Sequence, residues 1–245
     1  MGLLLILLIG LAAGLVSGII GTGSSIILVP VLASVYGPKE AVPIMAVASV
    51  MANVARILAW WRAVEWRAVA AYAVTGAPAA ALGARTMLVL PPRAVDTAIG
   101  AFLLLMIPAR HWLAARLLRL TLWHLAGAGA LIGFLTGIVA STGPASVPVF
   151  LGYGLTKGPF IGTEAAGSLA VYASKALTFR DAGALPSASL MRGLAVGASL
   201  MGGAFLAKPF VLRLAPETFR FVMDGLLLLS GASLLWGGLV RPALP

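Results

Sequence analysis

GIIGTGSSIILVP, residues 18–30, and GIVASTGPASVP, residues 137–148, decide how this chain is read. Each begins as a glycine-led apolar run, is interrupted by a cluster of Gly, Ser and Thr, and resumes as an apolar run reaching proline. Such an interruption frees backbone N–H and C=O groups. Lipid cannot satisfy them, so irregular backbone at membrane depth belongs where protein covers it or where it lines a polar cavity. The surroundings of the two stretches match as well. Gly10, Gly14 and Gly18 recur 119 positions later as Gly129, Gly133 and Gly137. VYGPKEA from Val35 corresponds to GYGLTKG from Gly152, and GAPAAALGAR from Gly76 to GASLMGGAFLAK from Gly197. LPPRAVDTAIGAFLLL from Leu90 corresponds to LAPETFRFVMDGLLLL from Leu214. The chain therefore reads as a duplication: a first repeat over 1–113, a basic linker over 114–120 and a second repeat over 121–245. Repeats of this kind outrank local pattern as a fold signal, and in transporters they frame the substrate path.

Composition sets the solvent. Of 245 residues, 61% are hydrophobic and 10% charged, with a mean hydropathy of +1.05. That excludes an ordinary soluble enzyme, a disordered tail and a coiled coil. At about 20 residues per crossing the chain holds roughly eight to ten crossings. The net charge of +10 comes largely from cations that punctuate apolar runs, such as Arg62, Arg67, Arg85, Arg93, Arg110, Arg116 and Arg119. This is a topology signal, not a nucleic-acid footprint. There is no cysteine, hence no disulfide or thiolate site, and MGLLLILLIG lacks the basic start of a signal peptide, so it reads as a retained first helix. His111 and His124 form no zinc pair, and no nucleophile elbow or phosphate loop appears. The expectation is a non-enzyme without cofactor or metal.

Each half predicts a Gly-rich helix (2–20; 122–140), a break (21–25; 141–146), a short apolar segment (26–36; 147–154) and three longer helices (41–61, 67–86, 92–112; 159–179, 187–207, 216–238). The small-xxx-small spacing of the glycine trios predicts close helix packing. Loop charge compares two topologies. If the short segments do not cross, the inner and outer cations balance. If they return across the membrane, the halves are inverted. Eight cations (Arg62, Arg67, Arg110, Arg116, Arg119, Lys157, Lys208, Arg213) then lie inside against five outside. The second arrangement fits the positive-inside rule better. The fold class expected is an all-α polytopic membrane protein of two inverted repeats, each with a broken or re-entrant segment plus three longer helices: about eight full spans and ten segments.

The breaks are the candidate site. A helix that restarts inside protein offers unpaired N–H groups and a partial positive charge, and the hydroxyls of Thr22, Ser24, Ser25, Ser141, Thr142 and Ser146 add donors. The competing reading is a pair of surface turns. Arg56 and Lys175, again 119 apart, are cations inside predicted helices; they serve an anion site or snorkel to the nearby helix ends. Asn53 lies one turn before Arg56 and either orients a substrate or bonds a neighbouring helix. Glu164 and Asp224 are intramembrane carboxylates that either take a coupling proton or pair with a basic side chain.

The order of these motifs resembles the TauE/SafE-like (sulfite exporter) permeases over nearly the whole chain. The carriers are the glycine-spaced helices, the breaks GTGSSIILVP and STGPASVPVF, the third segments KEAVPIMAVASVMANVAR and IGTEAAGSLAVYASK, and the late glycines. The resemblance implies a secondary transporter of small sulfur-containing anions, sulfite and sulfonates among them, in a bacterial inner membrane and without an ATP-binding domain. It assigns Gly21, Gly23 and Gly143 to the backbone breaks, and Ser49, Asn53, Arg56, Thr163, Ser168 and Lys175 to the third segments. Family members commonly carry a richer GxGGG run; here Ser24 and Ser25 stand in the first break, and Pro144 and Ala145 in the second. The implied partners are a small anion, a coupling proton or sodium, and the bilayer, with a homo-oligomer left open. An anion channel or a non-transporting accessory subunit are the competing functions.

Overall fold

A computed structural model describes residues 3–20, 23–91, 120–139 and 142–207, with isolated positions between 94 and 108 and beyond 207. Among the described residues all regular structure is helical. The helices are α1 (Leu3–Ile20), α2 (Ser24–Tyr36), α3 (Pro38–Trp60), α4 (Trp66–Val89), α5 (Leu122–Ile138), α6 (Gly143–Gly152), α7 (Lys157–Asp181) and α8 (Ser187–Ala207). A single 3-10 turn, Trp61–Ala63, links α3 to α4. The last helix expected in each half and the basic linker fall outside the described residues, apart from scattered positions.

Three helix starts keep the sequence offset of 119: Leu3 and Leu122, Ser24 and Gly143, Pro38 and Lys157. The chemistry at each start explains it. Gly23 takes the left-handed conformation (φ 111°), which lets the chain turn into α2 at once. Pro144 sits at the first turn of α6 and Pro38 at that of α3, where a missing N–H costs nothing. Thr121 and His124 close a capping box on α5. The breaks are consequently shorter than the sequence predicts. Helix resumes at Ser24 and Gly143, because Ser, Gly and Pro are tolerated in a first turn although they disfavour a helix interior.

The glycine trios bring backbones together. A Cβ on Gly133 would land on the backbone of Gly76, and one on Gly14 on the backbone of Leu200. Thus α5 lies along α4, and α1 along α8, each first helix docking on the other half of the chain. Direction follows from register. On α4, Tyr72, Gly76 and Gly83 meet Gly129, Gly133 and Gly137 in rising order, so α4 and α5 are parallel. By the same test α1 is parallel to α8, with Gly10 at Ser199 and Gly18 at Ala207. Gly193 at Val47 and Gly197 at Met51 make α3 parallel to α8, and Gly167 at Tyr72 and Gly76 at Val171 make α4 parallel to α7. By contrast α3 and α7 oppose one another: Gly158 packs on Trp60, while Glu164 meets Arg56. Since α1 and α3 run the same way, the 13-residue α2 carries the chain back between them, and the 10-residue α6 does so between α5 and α7.

Two apolar cores result. One gathers Leu28, Leu32, Ile44, Met45 and Leu200; the other gathers Tyr72, Leu125, Phe150 and Val171. Tyr72 and Phe150 stack tilted at 5.1 Å. Large apolar side chains also face outward, among them Leu4, Val74, Val89, Leu131 and Trp123. A surface of that kind fits lipid better than water. Among the described residues two helical stretches, Lys39–Ala63 and Ser187–Ala207, are long and apolar enough to cross a membrane; Leu4–Ile19, Ser24–Tyr36 and Leu122–Ile138 are apolar but shorter.

Candidate functional site

Where α3 and α7 cross, near their middles, the starts of α2 and α6 converge on one polar cavity. Its empty space is about 290 Å³, counting the part open to solvent. The walls come from both halves: Gly23, Ser24 and Ser25 of the first break, Gly143 of the second, Ser49, Asn53 and Arg56 of α3, and Glu164, Ser168 and Tyr172 of α7. The amides of Ser24 and Ser25 precede the first intrahelical hydrogen bond of α2, which Ile26 makes to Gly23, whereas the second residue of α6 is Pro144, so α2 brings donors and both restarts bring a partial positive charge to this wall.

A continuous polar ladder crosses the cavity. Asn53 donates its amide N–H to the Ser49 carbonyl at 2.8 Å and accepts from Arg56 Nη2 at its Oδ1. Arg56 Nη1 donates to Glu164 Oε2 at 3.2 Å. The other carboxylate oxygen accepts from Ser168 Oγ at 2.7 Å and lies 2.9 Å from Ser146 Oγ, which also reaches the Gly143 carbonyl. Arg56 and Glu164 are both buried, with side-chain exposures of 8% and 2%. Arg56 is therefore not a snorkelling cation. Two donors remain unspent: Arg56 Nε and Ser49 Oγ are buried and have no partner among the described residues. Buried donors without acceptors are rare, and two beside a polar cavity point to an acceptor-rich ligand.

Lys175 takes a different place from its counterpart Arg56. It is fully buried, and its ammonium donates to the carbonyls of Thr136 and Val139 at the end of α5. These are the carbonyls that the second break leaves without helical partners. It also stands 5.6 Å from the Phe179 ring. A compact ammonium with three donors suits a carbonyl cluster, whereas the flat guanidinium fork suits a carboxylate or oxyanion. Lys175 thus is not among the residues that line the cavity, and the expected pair of cations becomes one cation in the cavity wall and one helix cap.

The remaining expected residues divide similarly. Thr142 bonds the Thr136 hydroxyl, pinning the break from behind. Thr163 accepts the Glu65 backbone N–H at 2.9 Å and anchors the turn before α4. Gly21, Thr22, Ser141 and Asp224 lie outside the described residues. Sequence reasoning missed Tyr172. The signal was present, since Tyr172 stands 119 positions after Asn53 just as Ser168 stands 119 after Ser49. Among the described residues no cluster of His, Asp and Glu could hold a metal ion.

Comparison with curated proteins and with solved structures returns no match for the chain. The family comparison does: residues 6–234 match the sulfite exporter TauE/SafE family, whose members are transporters and not enzymes. A match over nearly the full length, on a helical chain whose two breaks converge on one polar cavity, makes this protein a member of the sulfite exporter TauE/SafE family of membrane transporters.

Proposed function

We propose that this chain is a secondary transporter of small sulfur-containing anions such as sulfite or organosulfonates, that the anion binds in the cavity between the two breaks, and that two inverted repeats alternate around it. The observation that carries this reading is the meeting of both helix restarts with the buried, partly unpartnered Arg56 in one cavity. An oxyanion there accepts from Arg56 Nε, Ser49 Oγ and the Ser24 and Ser25 amides that open α2, with the partial positive start of α6 beside it. The opposed directions of α3 and α7, helices that begin 119 residues apart, support inverted repeats, as does the return of the chain through α2 and α6. We place the chain as a multi-pass protein of a bacterial inner membrane, a reading that family membership and the apolar exterior support. Purified protein in liposomes should take up labelled sulfite, ethanesulfonate or thiosulfate with saturation and trans-stimulation. Unitary conductance would make it a channel instead. Absence of flux for all three anions, from folded protein, would overturn the reading.

A further inference from the structure

The cavity holds its own anion. Among its described lining residues Arg56 is the only cation and Glu164 the only acid, and the two are paired. A substrate anion entering this wall therefore meets a guanidinium that is already neutralised. It also meets a carboxylate that repels it, since like charges at close range in a partly desolvated wall are poorly screened. We propose that Glu164 is the proton-coupling group: its carboxylate occupies Arg56 when the cavity is empty, and its protonation releases the guanidinium to the incoming anion, so that one anion and one proton bind together. This rests on the reading of the cavity as the anion site.

The surroundings of Glu164 suit both states. Ser168 and Ser146 are hydroxyls, which donate to a carboxylate and, after rotation, accept from a carboxylic acid. The acid form therefore keeps its partners when the ion pair opens. Arg56 stays in place without Glu164, because Asn53 holds its Nη2. The other described titratable groups around Glu164 leave this exchange to the pair. Tyr72 of α4 is within its electrostatic range and Tyr172 of α7 shares the cavity; both are phenols, which donate or accept a hydrogen bond without bringing a charge to the pair. Arg62 and Glu65 belong to the segment joining α3 to α4, where Glu65 bonds Thr163 through its backbone. Lys175 is about 16 Å further along α7 and is committed to carbonyls. The described parts of α2 and α6 bring no titratable residue to the cavity.

The sign follows by linkage. Protonated Glu164 binds the anion better, so affinity rises as pH falls, by up to about tenfold per pH unit while Glu164 is ionised in the empty protein. By reciprocity, anion binding draws a proton from solution. The experiment uses the full chain in detergent, in weak buffer with a pH-indicator dye. Ethanesulfonate is the probe because it remains singly charged. About one proton should be taken up per anion bound, and Glu164→Gln should bind with no proton uptake and no pH slope. Binding by the unaltered protein without proton uptake overturns the proposal, and this arm needs no variant to fold. Glu164→Gln that keeps the uptake and the slope overturns it too. If folded protein binds neither ethanesulfonate nor thiosulfate at any pH, the anion-site reading itself fails and takes the proposal with it.

Discussion

Arg56 and Glu164 illustrate what burial does to a single pair. Each alone would be an uncompensated charge in a low-dielectric wall; together, with Asn53, Ser146 and Ser168, they are tolerated. Removing one partner should cost about 3–5 kcal/mol because the other stays buried and unpaired. We therefore expect Arg56→Met to lower the thermal unfolding midpoint sharply, and Arg56→Met combined with Glu164→Leu to regain most of that loss while binding no anion. Unfolding in detergent, followed by circular dichroism, separates these outcomes; a double variant as unstable as the single one would refute the pairing. Lys175→Met should behave differently. It strips the Thr136 and Val139 carbonyls of their donor, at about 1–3 kcal/mol for each buried acceptor left unsatisfied. The pH slope of anion binding should persist in whatever protein remains folded, and loss of that slope would place Lys175 in the site after all.

At the scale of the element, the glycine stripes set how close the helices come. Gly133 and Gly127 lie on the same helix, α5, yet a Cβ on Gly133 would collide with the backbone of Gly76, whereas one on Gly127 would meet open space. We expect Gly133→Ala to force α4 and α5 apart, at about 1–3 kcal/mol for overpacking. Gly127→Ala should be neutral or stabilising by up to about 1 kcal/mol through helix propensity. Thermal unfolding of the two variants side by side tests this, and equal midpoints would mean that the stripe does not set the interhelical distance. The stripes were legible in the sequence because their spacing of four repeats the helical turn. Their partners were not, since nothing in that spacing says that α1 docks on α8 and α5 on α4.

For the whole molecule, the proposed alternation requires the cavity to open to each side of the membrane in turn around the α3–α7 crossing. The chain contains no cysteine, so a single Ser49→Cys substitution places one thiol in the cavity wall. A membrane-impermeant thiol reagent should reach it from either side of sealed vesicles, and ethanesulfonate should slow the labelling. Labelling from one side only, with and without the anion, would contradict alternation.

By itself the sequence determined the membrane class and pointed to the internal repeat, the two breaks and the candidacy of Arg56 and Glu164. These are properties of composition, spacing and the cost of charge in lipid, and each is carried by residues near one another along the chain or related by a constant offset. Tertiary structure alone decided which polar groups meet. Arg56 and Glu164 are 108 positions apart and belong to different halves, and they pair only because α3 and α7 cross antiparallel. Positions separated by the 119-residue offset also come to unlike ends: Arg56 reaches the cavity while Lys175 turns to the carbonyls of α5. Side-chain shape and the nearest acceptor settle that choice, and both are visible only once the helices are packed.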